Sequence, residues 1–145
     1  MLYGRDSEIS AIISLFAQGT PRVAILGAGG MGKTSLSTAI VHHPQITSRY
    51  QEHRVFVACD RVSTSAQLAS LIGAHIGLKP TGDLTQAVVQ YFSRNPPALL
   101  ILDNFETVWE PSNSREEVER FLALLTGVAH LALIVSSLII SWTRD

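Results

Sequence analysis

The sequence predicts a doubly wound α/β fold, a parallel sheet with helices on both faces. Its strand candidates are unbroken apolar runs rather than alternating ones, the pattern of strands buried on both sides. Helix-like segments separate them, as parallel crossovers require. The 145 residues suit one domain with a sizeable core. No repeat, low-complexity segment or linker divides the chain.

Each element follows from its residues. "GRDSEISAIISLF" sets Ile9, Ile12, Ile13 and Phe16 at helical spacing, with Asp6 as N-cap. "RVAIL" from Arg22 is a short strand closed by glycine, and Gly32 to about His43 reads as a helix that Pro44 ends. His42 and His43 then sit where cations suit a helix C-terminus. "RVFVAC" from Arg54 is the second strand, with Cys59 as a buried strand thiol. Thr64 and Gln67 form a capping box before Leu68, Leu71, Ile72 and Ile76. His75 follows that stripe as a core or rim histidine. Another helix starts near Asp83, uses Leu84, Val88 and Tyr91, and stops before Pro96-Pro97. "ALLILD" from Ala98 is an apolar strand ending in an acid. Ser114 and Glu117 cap a helix striped by Val118, Phe121, Leu122 and Leu125, and "LALIVSS" from Leu131 is the fourth strand.

Composition excludes several functions. The formal net charge of −1 offers no general attraction to nucleic acid or anionic membrane. Arg49, Arg54 and Arg61 are the nearest approach to a basic cluster, and without interleaved aromatics they read as a solvated loop face. One cysteine allows no internal disulfide. The longest apolar stretch, "LALIVSSLIISW", is too short to span a bilayer comfortably. No secretory signal fits the N-terminus, so cytoplasm is the expected location.

The chemistry concentrates in Gly27-Ala28-Gly29-Gly30-Met31-Gly32-Lys33-Thr34, which satisfies G-x-x-x-x-G-K-[ST] between a strand and a helix. Glycines let the backbone curl so that amide N–H groups converge on phosphate oxygens. The following helix, through Ser35, adds its unpaired N–H groups and its positive dipole end. Lys33 is one of only two lysines in the chain. It is placed to reach the β- and γ-phosphates, and the Thr34 hydroxyl to ligate magnesium. Such a site also needs an acid at the end of another strand, and Asp103 supplies one. Many related enzymes follow that acid with glutamate; here Asn104 follows. Glu106 is either its substitute in orienting water or a solvated loop acid, and the sequence leaves both readings open. Trp109 reads as a packing or loop-anchoring residue. No metal-ligand spacing surrounds the histidines.

These residues resemble the nucleotide-binding domain of STAND-class NTPases, which includes the NB-ARC domains of plant resistance proteins and apoptotic scaffolds. "LYGRDSEI" resembles the family's opening GR-x-x-E motif, "AILGAGGMGKTSL" its P-loop, and "LLILDNFETVWE" its Walker B segment, especially in fungal members. The resemblance covers nearly the whole chain. It implies a three-layer P-loop NTPase fold with "LALIVSS" between the P-loop strand and the Asp103 strand. It further implies ATP/ADP with Mg2+ as ligand, Gly4 and Arg5 near adenine and ribose, and a switch between closed ADP and assembling ATP forms. Residues 1–20 would carry the opening motif and helix, and residues 21–145 the Walker A to fourth-strand unit. The expected partners are nucleotide, further modules of a longer chain and other copies when ATP is bound, with no nucleic acid and no membrane.

Two departures bear on turnover. Family members usually place an arginine just past the fourth strand, and Leu138 occupies that slot. "SWTRD" resembles a later family segment, and the downstream modules are absent, so a fold incomplete at its C-terminus, from a fragment or altered gene product, is expected. The readings in play are a switch with slow ATP hydrolysis and a nucleotide-binding remnant without turnover. A P-loop small-molecule kinase is the third; it would need an arginine-rich lid, and no such segment stands in the sequence.

Overall fold

A computed structural model of the chain describes residues 6–27, 32–109 and 115–138. In chain order the elements are α1 (Asp6–Ala17), β1 (Arg22–Gly27), α2 (Lys33–Val41), α3 (Pro44–Tyr50), β2 (Arg54–Ala58), α4 (Ser65–Ile76), α5 (Thr85–Arg94), β3 (Ala98–Asp103), α6 (Glu106–Trp109), α7 (Arg115–Thr126) and β4 (Leu131–Leu138). The four strands form one parallel sheet in the order β1-β4-β3-β2. The last strand in sequence therefore enters between the first and third, as the resemblance implies.

Side-chain parity divides the interior into two cores. Along β3, Leu99 and Ile101 pack with α1, α2 and α3 through Phe16, Leu36, Ile40 and Tyr50. Ala98, Leu100 and Leu102 face the other way, onto Leu68 and Ile72 of α4, Phe92 of α5 and Phe121 of α7. All six positions of β3 are buried, which is why its sequence is a continuous apolar run. The α/β architecture with helices on both faces is thus the one the sequence predicts.

Several local readings hold in detail. Thr64 Oγ1 accepts from Gln67 N at 3.1 Å, while Gln67 Oε1 takes the Ser63 amide at 2.9 Å, closing the start of α4. Asp83 accepts from the Thr85 amide at 2.9 Å just ahead of α5. The Asp6 side chain, Ser114 and the Trp109 side chain lie outside the described residues.

Three expectations are corrected. Pro44 does not merely end a helix; it opens α3 as its first residue, with His43 as N-cap accepting from Gln45 N at 3.2 Å. Proline suits that position because its missing N–H would be unpaired anyway. Arg49 and Arg54 are not a solvated loop face. Arg49 lies on α3, stacks on Phe16 and Tyr50, and donates to the carbonyls of Phe16 and Gly19 at the end of α1. Arg54 donates to the carbonyl of Val41 at the end of α2, and Arg22 to that of Thr126 at the end of α7. Each guanidinium donates to carbonyls at the end of a helix and meets the negative end of its dipole. For His75 only the core half of the core-or-rim expectation is corrected: it is exposed, with Nδ1 2.9 Å from the Leu71 carbonyl oxygen.

Candidate functional site

The site lies at the carboxyl ends of the parallel strands, where β1 delivers the chain to α2. Gly27 is the last residue of β1. Ala28, Gly29, Gly30 and Met31 lie outside the described residues, as do Gly4 and Arg5. Gly32 holds φ 87° and ψ −17°, a left-handed conformation glycine adopts without steric cost. It is the N-cap of α2 and offers no side chain to the helix end. The first turn carries no acid, and the first intrahelical bond runs from Leu36 N to Gly32 O at 2.8 Å. The amides of Lys33, Thr34 and Ser35 precede that bond, at the positive end of the dipole.

Lys33 is 2% exposed, and its Nζ has no hydrogen-bond partner among the described residues. A buried ammonium without an acceptor is costly, and an anion beside it removes that cost. The donor set of this corner is therefore cationic, built from an ammonium and a helix N-terminus, and it fits a phosphate group.

Asp103 is placed by parity. It follows Leu99 and Ile101 on the face covered by α2, and it is 2% exposed. Thr34 Oγ1 donates to Asp103 Oδ2 at 2.7 Å, so the two residues singled out as magnesium ligands meet across 69 positions of sequence. The other carboxylate oxygen, Oδ1, accepts from the hydroxyl of Ser136 on β4. Ser136 thus belongs to the site, and the sequence reading passed over it. The available signal was parity: Ala132, Ile134 and Ser136 share one face of β4, and only Ser136 among them is polar. Ser137 falls on the opposite face, where its buried hydroxyl has no partner among the described residues.

Around Asp103 the chain turns sharply. Asn104 takes φ 57°, left-handed backbone that asparagine tolerates better than most residues. Its amide donates to Ser136 Oγ at 3.3 Å, and the Phe105 amide donates to Ser136 O at 2.8 Å. Glu106 opens α6 and is half-buried. Cys59 lies just past β2, fully buried, its amide donating to Asp103 O at 2.8 Å. Burial first, then the charges of Asp103, Asp60 and Glu106, push its thiol from 9.0 up to about 12. It is an inert packing thiol. Among the described residues no group of three or more His, Cys, Asp or Glu is disposed to hold a metal, and no helix is long and apolar enough to cross a membrane.

The profile of the family described as nSTAND1, Novel STAND NTPase 1, matches residues 1–142. No curated protein sequence matches the chain. Among solved structures, Drosophila ORC bound to AT-rich DNA and Cdc6 contains a similar chain at 15% identity and TM-score 0.66, covering 99% of this chain and 50% of that one. The complex of Drosophila ORC with GC-rich DNA and Cdc6 gives 14% identity and TM-score 0.65, over 96% of this chain and 48% of the other. C. elegans PCH-2 gives 13% identity and TM-score 0.55, over 85% and 31%. At these identities the likeness is one of fold. The chain spans about half the length of the two ORC-complex chains.

Proposed function

The chain belongs to the novel STAND NTPase 1 family, and on that premise we propose that it is an ATP/ADP-binding switch domain. Family and fold are those of a nucleotide-binding NTPase domain. The observation that carries the reading is Lys33, a buried ammonium without a partner among the described residues, beside a helix N-terminus that no side chain caps. Nucleotide phosphates supply the missing anion. Thr34 and Asp103 would hold the magnesium ion, and the bound ion would neutralise phosphate charge. Gly27 to Ser35 would supply the cradle, and Gly4 and Arg5 are the residues proposed to meet the base and ribose.

Slow hydrolysis of ATP is part of the proposal, with Glu106 orienting the water. A second reading, a binding domain without turnover, is favoured by Asn104, whose amide is no base and whose backbone is left-handed. The partners of either form are nucleotide, further modules of a longer chain, and other copies when ATP is bound. With a net charge of −1, and with Arg49 and Arg54 engaged at helix ends, the reading includes no nucleic acid.

Fluorescent ADP and ATP titrations beside phosphate release, on wild type and Lys33→Ala, test this. Tight binding lost in the variant supports the cradle, and phosphate release separates the two forms. Binding that survives Lys33→Ala unchanged overturns the assignment, as does a wild type that binds neither nucleotide.

A further inference from the structure

We propose that Ser136 is a positioning residue that aims Asp103 at the cation. The inference rests on the nucleotide reading above. A carboxylate has two oxygens and about four lone-pair sites, and a buried one needs donors for them. Asp103 receives the Ser136 hydroxyl on Oδ1 and the Thr34 hydroxyl on Oδ2. With Oδ1 committed to β4, Oδ2 is the oxygen left facing Thr34 and the start of α2. Thr34 is the contact a cation would replace; Ser136 is the one that persists.

Ser136 commits both its hydroxyl and its carbonyl to one turn. Its hydroxyl donates to Asp103 and accepts from the Asn104 amide at 3.3 Å, while its carbonyl takes the Phe105 amide at 2.8 Å. The left-handed step at Asn104 brings both amides to β4. A displacement of β4 at this point therefore moves the carboxylate and the turn together. Ser137 provides the internal contrast: the same side chain one position on, buried on the other face, without a partner among the described residues.

The experiment compares wild type, Ser136→Ala, Ser136→Thr and Ser137→Ala, each checked for fold by circular dichroism. Fluorescent ADP binding is measured without Mg2+ and across a Mg2+ titration. Amide hydrogen exchange is read on the nucleotide-free protein. Ser136→Ala is expected to leave Mg2+-free ADP affinity within about twofold and to raise the Mg2+ concentration for half-saturation by about 10-fold or more, as loss of a ligand's hydrogen-bond partner does. It is also expected to speed exchange at Asn104 while Phe105, held by the backbone carbonyl, stays protected. Ser136→Thr restores both properties, and Ser137→Ala changes neither. An unchanged Mg2+ requirement in folded Ser136→Ala overturns the inference and leaves the nucleotide reading intact. Equal weakening with and without Mg2+ overturns it as well, showing a general structural role. A wild type that binds no ADP overturns both together.

Discussion

Replacing Lys33 by methionine should make the nucleotide-free protein more stable while destroying the site. Lys33 is 2% exposed, with no acceptor for Nζ among the described residues. The full penalty for burying an ion in a protein is several kcal/mol, and local relaxation and water recover part of it. A net gain of about 1–3 kcal/mol is the expected effect of Lys33→Met, since methionine keeps the length and apolar stem of lysine. At roughly 3 °C per kcal/mol for a domain of this size, the melting temperature without nucleotide rises by about 3–9 °C. Saturating ADP acts in the opposite sense. At about 100 times its Kd, a ligand adds about 2.7 kcal/mol to the wild type, or roughly 8 °C, while the variant gains under about 1 °C. Thermal unfolding with and without ADP measures both effects in one series. A Lys33→Met protein that melts at or below wild type without nucleotide refutes the claim that the ammonium is buried at a net cost, without an acceptor among the described residues. A variant that keeps the ADP shift refutes the claim that Lys33 holds the phosphate.

Two further outcomes follow from the turn and the thiol. Asn104→Gly should lie within about 0.5 kcal/mol of wild type in urea denaturation, whereas Asn104→Val should lose about 1–2 kcal/mol, because φ 57° places a β-branched side chain against its own backbone. Cys59 stays protonated in the folded protein to about pH 12, while the unfolded chain ionises near 9.0. The unfolded state therefore gains by releasing a proton as pH rises between those values. The stability present below pH 9 should fall above it, approaching about 1.4 kcal/mol per pH unit. Cys59→Ala should lack that component, as denaturation of both proteins from pH 8.5 to 11 would show.

Much of the fold was legible because burial on two faces leaves a plain mark. "ALLILD" reads as a central strand since every position of β3 faces one core or the other. The capping pair Thr64 and Gln67 was readable because cap geometry is local. Pro44 was misread because the same residue suits the position after one helix and the first position of the next, and only the His43 cap distinguishes them. Arg49 and Arg54 were misread because their acceptors lie on other elements, at Phe16, Gly19 and Val41.

By itself the sequence determined that a strand, β1, gives way across the glycine-rich stretch to a helix, α2, that opens with Lys33 and Thr34, because those residues are contiguous and the patterns that specify them are local. The pairing of Thr34 with Asp103 and the commitment of Asp103 to Ser136 were decided by tertiary structure. The physical reason is register: β4 must insert between β1 and β3 before parity can turn Ser136 toward the carboxylate and Ser137 away from it.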